Sequence, residues 1–230
     1  TSSYIRHSIE SGASVWIAQR EGRAKDGFDR TEPALIKMLA LAWRRPKLKS
    51  QAKRSKNDAT ITRLDELLSR IQIVPVAISY ELDPCDLLKA DELYHTAVDG
   101  SFTKAEGADF ASIVQGMRGY KGRVHLNFSK PLKGSYESAE EISLAMDKAI
   151  VGGLKVYPPN LSARALTDVG SQAPQAGSQE ESKALFAFKQ RVADVSAAKR
   201  PYLLMQYANL LRNRAELGLA ETSSTQTNSR

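Results

Sequence analysis

The sequence predicts an α/β fold in which a mixed sheet is flanked by helices and followed by a C-terminal helical pair. Three observations predict it. Short runs of β-branched and aromatic residues bounded by glycine or proline, such as Val15-Trp16-Ile17-Ala18 between Gly12 and Gly22, have the length and composition of strands. They alternate with longer stretches whose apolar residues recur at helical spacing, as at Leu35, Ile36, Leu39, Ala40 and Trp43. A segment rich in Gly, Ser, Gln, Ala and Pro, from Asp168 to Gln179, then leads to two further apolar-striped helices. The expected division is an α/β domain over 1–169, a linker over 170–178, the helical pair over 179–221 and a disordered tail over 222–230.

The elements follow in order. Ile5 and Ile9 lie one turn apart, so the sequence opens inside a helix, as a domain entered partway through. A buried strand is expected over Ser14–Gln19, and Glu21, Gly22, Arg23, Lys25 and Asp26 follow it directly. Open α/β sheets place ligand sites at strand ends, and a glycine there allows close approach to the backbone. The loop therefore suits an anionic group, although the same residues also make an ordinary solvated turn. Thr31 is the expected N-cap of a helix with Pro33 in its first turn, ending near Pro46. Arg44, Arg45, Lys47, Lys49, Lys53, Arg54 and Lys56 come next with no acid before Asp58. Such a run is either a solvated face or a surface for anionic headgroups or the phosphates of coenzyme A. Little aromatic interleaving accompanies it, so no nucleic acid is expected.

Ile61, Leu64, Leu67, Leu68 and Ile71 form one face of a short helix, and Gln72–Ser79 reads as a strand in which Pro75 marks an edge, a bulge or an end. That strand would deliver Glu81 to the same rim as Glu21. Residues 83–122 are mixed, with helical patterning from Asp86 to Tyr94 and frequent glycines, as in an insertion over the sheet's edge or mouth. Arg123–Phe128 alternates, with Val124, Leu126 and Phe128 on the buried face and His125 on the polar one. Ser138-Ala-Glu-Glu141 is a capping box opening a helix that stops at Gly152-Gly153. In the terminal pair, Leu185, Phe186, Phe188, Val192 and Val195 share one stripe, and Leu203, Leu204, Tyr207, Leu210 and Leu211 the other. These stripes read as core; the alternative, an interfacial membrane helix, draws on the flanking Arg212, Asn213 and Arg214.

With 42% hydrophobic and 26% charged residues, the 230-residue chain has the composition of a soluble globular protein able to bury a core. Cys85 is its one cysteine, so an internal disulfide and a cysteine-based zinc site are both excluded. No cofactor or metal is expected. The net charge of +7 points to an anionic partner. No run reaches the roughly twenty apolar residues of a membrane span, and no signal-peptide pattern is present, which together predict a cytoplasmic protein.

Ile17-Ala-Gln-Arg-Glu-Gly-Arg-Ala-Lys-Asp-Gly27, followed by Ile73-Val-Pro-Val-Ala-Ile-Ser-Tyr-Glu81, resembles the third and fourth motifs of the glycerol-3-phosphate and lysophosphatidate acyltransferase superfamily, in the family's order. The strand ending in Lys130-Pro-Leu and the stretch from Leu154 resemble later parts of the same domain. The resemblance implies acyl transfer from acyl-CoA or acyl-carrier protein to a glycerol-phosphate-type hydroxyl, on the inner face of an anionic membrane. It assigns the acceptor phosphate to Arg23 and Lys25 with the N–H groups around Gly22, and the glycerol hydroxyls or a neighbouring arginine to Glu21. Arg20 and Ala24 stand where the family often has Pro and Thr or Ser. The family's His-x-x-x-x-Asp motif does not occur: the fifth residues after His7, His95 and His125 are Gly12, Gly100 and Lys130. The implied catalytic residues are therefore not in this chain, which would supply the acceptor-binding part and be inactive alone. The other reading is a non-catalytic basic protein that uses the Arg44 to Lys56 run on anionic membrane or nucleic acid.

Overall fold

The computed structural model describes residues 2–22, 24–43, 64, 67–168 and 174–219. The fold is mixed α/β, as expected. Its elements are α1 (Ser2–Glu10), α2 (Pro33–Ala42), β1 (Val76–Tyr80), α3 (Asp86–Asp99), α4 (Ala108–Arg118), β2 (Val124–Phe128), α5 (Ala139–Gly153), α6 (Pro158–Thr167), α7 (Gln179–Asp194) and α8 (Arg200–Glu216). The basic run from Arg44 to Lys56 and the tail over 222–230 lie outside the described residues.

The chain divides into two compact units, one comprising Thr1–Arg23, Asp29–Val76 and Phe128–Gly153, the other Ala24–Phe28, Ala77–Asn127 and Leu154–Arg230. In the first, α2 packs on α1 and α5 around Ile5, Ile36, Leu39, Trp43, Ile142 and Met146. The spacing of these residues within their helices is what makes one apolar stripe on each. Pro33 opens α2, and Ser138 caps α5 by accepting from the Glu141 N–H at 3.1 Å. Thr31 is not the N-cap of α2: Glu32 holds that place, and Thr31 is buried beneath it.

In the second unit, α8 packs on α6, α3 and α7. Ala90, Ala163 and Ala208 are fully buried there, and such small side chains let helices approach closely around Leu82, Phe188 and Leu203. The Phe188 ring meets Tyr207 edge to face at 4.8 Å. Leu185 and Phe188 are core, as their stripe predicted, whereas Phe186 points to solvent. Asn213 and Arg214 are buried, so that end of α8 is packed against protein and is not a membrane face.

Among the described residues the sheet has two strands, β1 and β2, paired antiparallel: the Glu81 N–H donates to the Arg123 carbonyl and the Ser129 N–H to that of Pro75, each at 2.9 Å. Pro75 sits just before β1, where its missing N–H costs no ladder bond. Two expectations are corrected. Ser14–Gln19 is not a strand and shares no sheet with β1; Val15, Trp16 and Ile17 are exposed. The four-residue apolar run Val15–Ala18 has strand composition, but only a long-range partner edge makes it a strand, and composition does not specify that partner. On β2 the burial is the reverse of the expected one, with Val124, Leu126 and Phe128 exposed and His125 half-buried. The covered face of β1 carries the small residues Ala77 and Ser79, while Ile78 and Tyr80 are exposed.

Candidate functional site

The loop predicted to bind an anion begins at Gln19 and is closed at its base, where the Glu32 N–H donates to the Gln19 carbonyl at 2.9 Å. Thr31 fixes that base to α5, since its N–H and its Oγ1–H both donate to Asp147 Oδ1, at 2.8 and 2.6 Å. Asp147 lies on the same stripe as Ile142 and Met146 and is itself buried. An acid in a mostly apolar stripe is the sequence signal for this anchor. Beside it, Asp29 has a buried Oδ1 with no hydrogen-bond partner in the protein. Burial pushes its carboxyl above the usual carboxylate range, and the nearby Asp147 adds to that, against the hydrogen bond from Gln19 and the charge of Arg20.

Between these anchors, Glu21 and Gly22 are exposed. Gly22 has φ +74° and open space where a Cβ would stand, so its backbone is accessible to a ligand. Arg20 Nε donates to the Glu21 carbonyl at 3.4 Å. Arg23 lies outside the described residues. In the other unit, Lys25 is ion-paired with Glu92 of α3, so an anionic ligand would have to compete with that carboxylate. The Asp26 carboxylate accepts from the Phe28 N–H at 3.0 Å, and Asn209 Nδ2 donates to the Asp26 carbonyl at 2.7 Å, fastening this part of the loop to α8.

Gly27 completes that attachment. Its φ is +84°, and a Cβ there would lie 2.6 Å from the Gln206 carbonyl oxygen. Gly27→Ala is therefore expected to cost about 2–4 kcal/mol, from left-handed backbone strain together with overpacking. The loss of urea midpoint measures it, and an unchanged midpoint would mean that the loop is not held against α8.

Glu81 is not at a ligand rim. It is 2% exposed and clamped by Arg123, whose N–H donates to Oε2 at 3.0 Å and whose Nη2 donates to Oε1 at 2.7 Å. The hydrogen bond to Glu81 raises the Arg123 guanidinium still further. Glu181 and the Tyr157 ring complete the surroundings of this cation. His95 Nδ1 is 2.7 Å from Asp99 and Nε2 is 3.7 Å from Asp91, each one turn away on the surface of α3. An open depression in the first unit, lined by Leu68, Ile71, Leu132, Arg70 and Lys133, contains none of the predicted site residues.

Fold and site thus define a mixed α/β protein with a charged, glycine-punctuated loop fastened at both of its anchored parts. Compared with known proteins, the chain matches no family model, no curated protein and no solved structure. Among the described residues no helix is long and apolar enough to cross a membrane.

Proposed function

We propose that this chain is the acceptor-binding part of a glycerolipid acyltransferase. What supports the reading is the pair of motifs in family order, with the Glu21-Gly22 turn open and the Val-Pro motif running into β1; against it stands the run before Glu21, which forms no strand beside β1 as the family's third motif would. In this reading Arg23 and the N–H groups around Gly22 hold the acceptor phosphate, with Glu21 toward the glycerol hydroxyls. Lys25 contributes only as it exchanges Glu92 for the phosphate. In the family a histidine base, for which residues 1–230 hold no His-x-x-x-x-Asp motif, takes the proton of the acceptor hydroxyl. That oxygen then attacks the thioester carbonyl, and the carrier thiolate leaves. Donor, acceptor and membrane are the partners the reading requires, at the inner face of the bilayer.

Titration of glycerol 3-phosphate into the chain at rising ionic strength tests the acceptor site. Saturable binding that Arg23→Ala abolishes and that survives neutralisation of Arg54 and its neighbours supports a defined phosphate site. Binding that disappears steeply with salt, or is lost when Arg54 and its neighbours are neutralised, supports the basic-protein reading instead.

A further inference from the structure

Helix α4 is packed inside out. Its small residues face the protein: a Cβ on Gly116 would stand 3.8 Å from Cys85 Sγ, and the Ser112 carbonyl lies 3.5 Å from the same sulfur. Gln115 Nε2 donates to the Pro84 carbonyl at 3.1 Å. Its large apolar side chains point the other way, Phe110 at 72%, Ile113 at 54% and Met117 at 68% exposure, and no residue of the helix is buried. Those three recur at positions i, i+3 and i+7, so they form one continuous face. Tyr120, just past the helix end, is exposed as well. A face of this kind is far from the ordinary scatter of single exposed apolar residues.

We propose that α4 docks in the plane of an anionic phospholipid bilayer, with Phe110, Ile113 and Met117 inserted at the boundary of headgroups and acyl chains. Two observations select a lipid surface. At 11 residues the helix is too short to span a bilayer but long enough to lie on one. Its C-terminal end carries Arg118 and then Lys121, two cations that would face anionic headgroups. Lys121 Nζ donates to the Met117 and Gly119 carbonyls at 3.1 Å, which keeps its ammonium beside the apolar face. At the opposite end the Asp109 carboxylate is already neutralised by Lys104. The surface is distinct from the Arg44 to Lys56 run, and it does not rest on the acyl-transfer reading.

The test is co-sedimentation of the whole chain with vesicles of phosphatidylcholine and phosphatidylglycerol in equal parts. The wild-type chain binds, and Phe110→Asp with Met117→Asp lowers the partition coefficient at least about tenfold. The melting temperature stays unchanged, because neither side chain is buried. Arg118→Gln lowers binding about fivefold at low salt, and only on vesicles containing phosphatidylglycerol. High salt strips attachment through Arg44 to Lys56 while the α4 term remains. A wild-type chain that does not sediment, or a double variant that sediments as well as wild type, overturns the proposal. So does a concentration-dependent dimer in sedimentation velocity that the double variant abolishes, which would make a second copy of the chain the occupant.

Discussion

Arg23→Ala, introduced in the product of the complete reading frame, is expected to lower kcat/KM for the acceptor by about thirty- to a thousand-fold. This corresponds to about 2–4 kcal/mol of transition-state binding from charge-assisted hydrogen bonds to phosphate. Arg23→Lys recovers only part, because an ammonium lacks the planar fork that meets two phosphate oxygens at once. The KM of the acyl donor barely moves, since in this reading Arg23 contacts the acceptor phosphate alone. Arg54→Ala is the control: it weakens vesicle attachment at low salt and leaves turnover of a soluble substrate intact. Silence at Arg23 together with an effect at Arg54 reduces the Glu-Gly loop to a surface turn.

Asp86→Ala is expected to destabilise the fold by about 3–5 kcal/mol, the usual cost of removing one partner from a buried ion pair. Asp86 is 1% exposed and accepts from Arg191 Nη1 at 2.6 Å and from the Tyr207 hydroxyl, which in turn accepts from the Asp83 N–H at 3.0 Å. Burial outweighs these partners and raises the Asp86 carboxyl above its ordinary value, and burial pushes the Tyr207 hydroxyl up as well. The sign of the pH dependence follows. With a folded-state pKa above the unfolded one, the contribution of Asp86 is greatest below the unfolded value, near 4, and declines as pH rises through the folded value. Loss of the carboxylate removes the charge that Arg191 pairs with and leaves it the Asp83 and Tyr120 carbonyls as acceptors, so pairing Asp86→Ala with Arg191→Leu should cost less than the sum of the single changes. Strict additivity in urea denaturation would show that the pair is not coupled.

Helices with a strong apolar stripe and a defined cap were legible in the sequence. Pro33 opens α2, Ser138 and Glu141 open α5, and the stripe of Leu203, Leu204, Tyr207 and Leu211 is buried on α8. The two paired strands were legible from the aliphatic run that ends in β1 and from the alternation of β2. What escaped depends on long-range choices. Glycines 107, 116 and 119 made residues 83–122 read as a mixed insertion with helical patterning only from Asp86 to Tyr94, although Phe110, Ile113 and Met117 keep helical spacing. Alternation on β2 gives two faces without saying which is covered, and the protein covers the one bearing His125. Asp147 meets Thr31 across 116 positions and Arg191 meets Asp86 across 105, pairings that no local pattern encodes. Of the candidate site, the Glu21-Gly22 turn was readable as a place of close backbone approach. The attachment of Asp26 and Gly27 to α8 was signalled only by an Asp-Gly pair in a charged loop.

Acyl transfer itself tests the central claim most directly. Labelled acyl-CoA and acyl-carrier protein are each offered with glycerol 3-phosphate or its monoacyl ester to the product of the complete reading frame and, separately, to the 230-residue chain. The account predicts ester formation by the complete product and none by the chain alone, because the 230 residues lack the family's His-x-x-x-x-Asp motif and general acid–base catalysis is worth about a hundred- to ten-thousand-fold. Robust turnover by the 230 residues alone, abolished by His95→Ala or His125→Ala, would contradict it, as would a complete product that forms no ester from either carrier.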